Sequence, residues 1–133
     1  MLEVIFDQTI ECTIDGVHSI SIKKIDPVMN EKFEKVNNIM AIKFHKGIPY
    51  QIKRMMQEKE YEFLQKIQKN NCNVNSAIIG DDVLNLRYDD SLDINKLNRS
   101  GFIANITIYV ILFSNFNGQN ITFRWKLNDI STK

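Results

Sequence analysis

The segment from Phe102 to Leu127 limits the fold more than any other part of the chain. A run rich in Ile, Val, Tyr and Phe ends at Phe116, Asn117-Gly118 follows, and a second alternating run occupies Ile121 to Leu127. Asn-Gly between two such runs is the strongest short-range signal for a β-hairpin, because the favoured tight turn needs positive φ at its central residues. A two-residue loop at Asn117-Gly118 sets Ser114, Leu112, Val110 and Ile108 opposite Ile121, Phe123, Trp125 and Leu127. One face is then almost wholly apolar, with Trp125 packed across the strands against Val110. The other face pairs Phe113 with Thr122, Ile111 with Arg124 and Tyr109 with Lys126, half apolar and half charged. Tyr109, Ile111 and Phe113 are too much apolar surface to leave wet without reason, so a helix or another subunit is expected to cover them.

The remaining segments fit around such a sheet. Ile10, Cys12 and Ile14 alternate before Asp15-Gly16, and Ile20 and Ile22 alternate after it, so residues 9 to 25 read as a second hairpin. Parity favours a three-residue loop, Asp15-Gly16-Val17, which pairs Ile10 with Ile22 and Cys12 with Ile20 and gives Gly16 a positive φ. Asp26-Pro27 is a helix start, with Met29, Phe33 and Val36 on one side, so a short helix is expected over about 27–38. Ile39 to His45 alternates as a strand. Tyr50 to Asn70 carries Ile52, Met55, Met56, Phe63, Leu64 and Ile67 at helical spacing, with Lys and Glu on the opposite side, and predicts one long amphipathic helix over about 50–70. Ser76 to Ile79 and Val83 to Tyr88 are short strand candidates around Gly80-Asp81-Asp82, and a short helix is expected after Asp93. The fold class is therefore α+β: a hairpin-based antiparallel sheet or small barrel with one long helix. No linker, repeat or low-complexity tract divides residues 1–133, which read as a single domain.

Composition excludes several kinds of function. An apolar share of 44% and a charged share of 25% are those of a chain with a buried core. Seventeen cations against 16 carboxylates leave a net charge of +1, so the broad positive field of a nucleic-acid binder is absent, and Phe44 and Tyr50 alone make no stacking platform. The longest apolar run, Phe102 to Phe113, contains Asn105 and Thr107 and falls short of the roughly 20 residues a membrane helix requires. The opening Met-Leu-Glu-Val-Ile-Phe-Asp lacks a basic stretch followed by a long apolar one, so no secretory leader is expected and a cytoplasmic or virion location is. Cys12 and Cys72 have no neighbouring Cys or His at ligand spacing, and reduced thiols are expected.

No constellation for catalysis emerges. His18 and His45 have no Ser, Cys or acidic partner in a recognisable motif, and no phosphate-binding glycine loop or zinc-binding helix is present. Asp81, Asp82, Asp89, Asp90 and Asp93 invite comparison with a calcium loop, but aligned from Asp89 the glycine position holds Ile94 and the bidentate glutamate position holds Ser100. Neither a cofactor nor a metal is expected. Asn-x-Ser/Thr triplets begin at Asn98, Asn105 and Asn120, and chance explains them in an Asn-rich chain.

The charges are segregated. Lys35, Lys43, Lys46, Lys53 and Arg54 lie in a stretch to Gln57 without a carboxylate, whereas residues 80–94 hold five aspartates against Arg87. The two segments either lie near one another within the chain, are solvated independently, or meet a neighbouring copy or a partner, where complementarity sets orientation and association rate. The expectation is a non-enzymatic assembly or protein-interaction module, a homo-oligomer of the kind found among bacteriophage structural and accessory components. Its interaction residues are Lys43, Lys46, Lys53, Arg54, the five aspartates, Tyr109, Ile111 and Phe113. The alternative is a small ligand-sequestering or inhibitory binding protein, and an enzyme of unrecognised type comes third.

Overall fold

A computed structural model describes residues 2–25, 36–67, 72–78, 80–116 and 118–132. In chain order the elements are β1 (Leu2–Asp15), β2 (Val17–Lys24), β3 (Asn38–Phe44), α1 (Tyr50–Ile67), β4 (Cys72–Asn75), β5 (Val83–Tyr88), a 3-10 turn at Ile94–Lys96, β6 (Gly101–Asn115) and β7 (Gly118–Ser131). The strands form one sheet in the order β1-β6-β7-β5-β3-β2, with β4 also on β7. The fold is α+β, as the sequence indicates, but the sheet is mixed: β4 and β5 both run parallel to β7. It is not a closed barrel, because β1 and β2 stand at its two ends and each pairs with one neighbour only among the described strands.

The expected hairpin at residues 9–25 does not form. β1 pairs with β6, matching Ile10 with Ile106, Cys12 with Ala104 and Ile14 with Phe102, while β2 pairs with β3, matching Ile20 with Ile42 and Ile22 with Met40. Gly16, at φ +69°, makes a corner between the two outermost strands. The same alternation suits a hairpin and a corner, since both put Ile10, Cys12, Ile14 and Ile20 on one side; longer apolar partners decide the outcome. With its end strands joined by one residue, the sheet must curl so that their adjacent ends meet.

β6 and β7 do form the expected hairpin, in a register shifted by two residues. Asn115 pairs with Gly118, Leu112 with Ile121, Val110 with Phe123 and Ile108 with Trp125. Trp125 thus faces Ile108 rather than Val110, and the outer pairs become Phe113 with Asn120, Ile111 with Thr122 and Tyr109 with Arg124. A two-residue slip keeps every side chain on its own face, so hydrophobic patterning does not resist it.

Helix α1 matches the long amphipathic helix over its described length. It buries Ile52, Met56, Glu60 and Phe63, and Phe63 meets Phe123 edge-to-face at 6.1 Å between centroids. The helix therefore covers the sheet face that carries Val110, Phe123 and Trp125, which we term the inner face. Met40, Ile42, Leu86, Phe102, Ile106 and Ile121 complete its core, each at most 1% exposed. Most of the expected 27–38 helix lies outside the described residues; Val36 and Asn37 are irregular and Asn38 opens β3. Of the strand expected at Ser76–Ile79, Ile79 lies outside the described residues and Ser76–Ile78 are irregular, following β4; the segment beyond Asp93 is a 3-10 turn capped by the Asp93 carboxylate, which accepts from the Asn95 N–H at 3.0 Å.

Candidate interaction face

The outer face, opposite the helix, has two zones. On β1 and β6, Leu2 pairs with Phe113, Val4 with Ile111 and Phe6 with Tyr109, forming a two-strand apolar strip. Tyr109 is fully buried, because Phe6 stacks on it at 4.9 Å between ring centroids. Phe6 and Phe113 remain 47% and 44% exposed. So the cover expected for the strip comes in part from the chain's own β1, not from the helix. β1 escaped notice as the partner because a bulge between Phe6 and Thr9 shifts its phase: even-numbered residues face outward before it and odd-numbered ones after it.

The second zone spans β7, β5, β3 and β2. Lys23 pairs with Ile39, Ile39 with Arg87 and Arg87 with Lys126, so one row of side chains crosses four strands. β4 accompanies β7 as far as Thr122 and β5 meets it at Lys126. Between these points the sheet is split, and a groove of about 420 Å³ opens there, lined in part by Lys23, Arg87, Arg124, Asn75, Asn85 and Thr122. No carboxylate is among the described residues that line it. Lys23, Arg87 and Arg124 are far apart in sequence and only the strand order brings them together, which is why the sequence reading passed over them.

Of the charged residues singled out in the sequence, several are matched within the chain. Lys53 of α1 is ion-paired with Asp81, joining the basic and acidic segments at one point. The backbone reinforces this junction: Ile48 N–H donates to Asp81 O at 2.6 Å, Phe44 N–H donates to Asp82 O at 3.4 Å, and a Cβ on Gly47 (φ +82°) would sit 3.0 Å from Asp81 O. Arg54 pairs along the helix with Glu58 at 2.9 Å. Asp89 accepts from the Ser91 backbone and hydroxyl and lies 3.5 Å from Lys126. Burial alone would raise the Asp89 pKa, but the Ser91 hydrogen bonds and Lys126 together hold it below the ordinary value. Asp90 gathers Lys24 at 2.8 Å, Asn38 at 2.9 Å and Asn37, and these donors bring its pKa down to about 2. Lys43 is exposed on the outer face of β3, and Lys46 is exposed in the loop after it. These surface pairs sit in high dielectric and fix local geometry more than they add stability.

One buried carboxylate escaped the sequence reading. Glu60, 7% exposed, accepts from Ser76 Oγ at 2.7 Å and Ala77 N–H at 3.1 Å, which ties the segment after β4 to the helix. Desolvation raises its pKa, against the lowering effect of Ser76, Ala77 and the nearby Trp125 indole N–H. That N–H makes no hydrogen bond of proper geometry. Neither Cys12 nor Cys72 is in a disulfide, and burial pushes the Cys12 thiol up to about 11. Among the described residues no cluster of His, Cys, Asp or Glu is arranged to hold a metal ion, and no helix is long and apolar enough to cross a membrane.

Among the described strands, the two at the ends of the sheet differ in charge. β1 carries Glu3, Asp7, Glu11 and Asp15 and no cation, whereas β2 carries Lys23 and Lys24 and no carboxylate. Compared with known proteins, the chain matches no protein family, no curated sequence and no solved structure.

Proposed function

We propose that this chain is a non-enzymatic assembly module that builds a homo-oligomer by setting the acidic β1 edge of one copy against the basic β2 edge of the next. The observation that carries this reading is the opposite charge of the two open edges of one sheet. An open edge offers a row of backbone donors and acceptors to an incoming strand. Complementary charge selects the unlike edge and disfavours β1 against β1, where carboxylates would face carboxylates. The apolar strip beside β1, with Phe6 and Phe113 half exposed, supplies surface whose burial would strengthen the contact. A contact between two different patches of identical chains is heterologous, and it closes into a ring or continues as a tube. Rings and tubes are a habit of virion components, so the bacteriophage reading follows from the assembly and falls with it.

The test is native mass. The wild-type chain is expected as a discrete oligomer, and Glu3→Lys combined with Phe6→Ser is expected to shift it to monomer with the circular dichroism unchanged. A wild type that stays monomeric at high concentration contradicts the proposal and favours the small binding module.

A further inference from the structure

We infer that the β2 edge of the next copy runs parallel to β1 and inserts Ile22 into a groove on the inner face, an inference that rests on the edge-to-edge assembly proposed above. Between β1 and the last turns of α1 lies a cavity of about 460 Å³, whose lining includes apolar Ile5, Phe63, Ile67 and Leu112 and the acidic residues Glu3 and Asp7. β1 ends the sheet there, so among the described strands none closes the groove. The chain's other end strand carries a side chain of matching chemistry. Ile22 pairs with Met40 on the inner face, is 39% exposed, and is followed by Lys23 and Lys24. An apolar residue beside two lysines thus suits an apolar groove beside two carboxylates. Asp7 keeps Lys66 at 3.6 Å and Lys24 keeps Asp90 at 2.8 Å, so charge selects the edge and the isoleucine supplies the buried surface.

The topology fixes the direction. β1 is antiparallel to β6, β6 to β7, β5 to β3 and β3 to β2, while β5 is parallel to β7. The reversals cancel, so β1 and β2 run the same way with their open edges on opposite sides. Identical copies differ by rotation alone, which cannot invert handedness. A β2 edge set against a neighbour's β1 edge therefore has two arrangements: parallel with the inner faces on the same side, or antiparallel with inner face continuing outer face. Side chains alternate along a strand, so only the parallel arrangement brings Ile22 to the groove; the antiparallel one brings Ser21 and Lys23.

Native mass combined with disulfide trapping tests this. In a Cys72→Ser background, which leaves only the buried Cys12 thiol, chains with Ile5→Cys are mixed with chains carrying Ile22→Cys and mildly oxidised; a second mixture sets Val4→Cys, on the outer face, against Ile22→Cys. A covalent dimer is expected from the first mixture and none from the second. Ile22→Ser should raise the dissociation constant of assembly about tenfold with the circular dichroism unchanged, as loss of one buried aliphatic contact does. Tyr61→Ser, on the exposed side of α1, should associate like wild type. A monomeric wild type overturns this inference together with the assembly reading. An oligomer trapped through Val4 and Ile22 but not through Ile5 and Ile22 keeps the edge contact and overturns the groove and the parallel direction. An oligomer with neither disulfide, in which Ile22→Ser associates like wild type, leaves the groove to another occupant, such as a small apolar ligand or a different protein, and likewise overturns it.

Discussion

The two faces of the sheet obey different rules, and residues one position apart show it. Trp125 and Arg124 are neighbours on β7, yet Trp125 is 1% exposed in the core beneath the helix while Arg124 lines the cationic groove outside. The inner face is filled nearly throughout by Ile, Leu, Phe, Met and Val, and close packing there accounts for folding. On the outer face an aromatic strip and a cationic groove lie on one sheet, and neither is needed to fill a core. It is on this outer face that the proposed assembly contact draws its apolar surface.

The largest expected effect sharpens that contrast. Trp125→Ala should cost about 3–5 kcal/mol, enough to unfold a marginal domain, while Lys43→Ala on the outer face should stay within about 0.5 kcal/mol. Chemical denaturation checks both, and similar losses would break the distinction between faces. Next comes the corner that lets β1 and β2 share one core. A Cβ at Gly16 would meet nothing within 4 Å, so the cost of Gly16→Val is backbone strain at φ +69° without a clash, about 1–2 kcal/mol. A thermal melt identical to wild type would show that the corner relaxes freely.

The smallest effects concern one carboxylate on each side, and they have opposite signs. Glu60, buried against the core, has a folded pKa above its ordinary 4.5. Its contribution to stability is fully present below that value and lost as pH rises through the folded one. Asp90, on the surface, is held at about 2 against an ordinary 3.8, so its contribution is present above pH 3.8 and lost as pH falls toward 2. Glu60→Gln should therefore flatten the decline in stability on the alkaline side of 4.5, and Asp90→Asn should flatten the acid limb. Denaturant midpoints across pH read both slopes; matching signs for the two variants would contradict the assignment.

Much of this architecture was legible in the sequence, and the failures share a physical cause. The long helix, the β3 alternation and the apolar set of β6 and β7 follow from periodicities of 3.6 and 2. Strand partners do not, because Ile10, Cys12 and Ile14 present the same face whether they meet β2 in a hairpin or β6 across the sheet. The bulge after Phe6 hid Leu2, Val4 and Phe6 as the cover of Tyr109. Of the interaction residues read from sequence, Tyr109, Ile111 and Phe113 do share one strip. The charged ones divide: Lys53 meets Asp81, while Asp89 and Asp90 find Lys126 and Lys24, which no run of like charge had marked. Lys23, Arg87 and Arg124 converge only through strand order, which local pattern does not encode.

Amide hydrogen exchange, followed as protein concentration is raised, reads the proposed edge contact strand by strand. If copies join edge to edge, amides of β1 and β2 slow as the oligomer forms, while amides of β6, already paired on both sides, exchange at one rate throughout. An oligomer whose β1 and β2 amides exchange as fast as in the dilute chain would place the contact elsewhere and contradict the account.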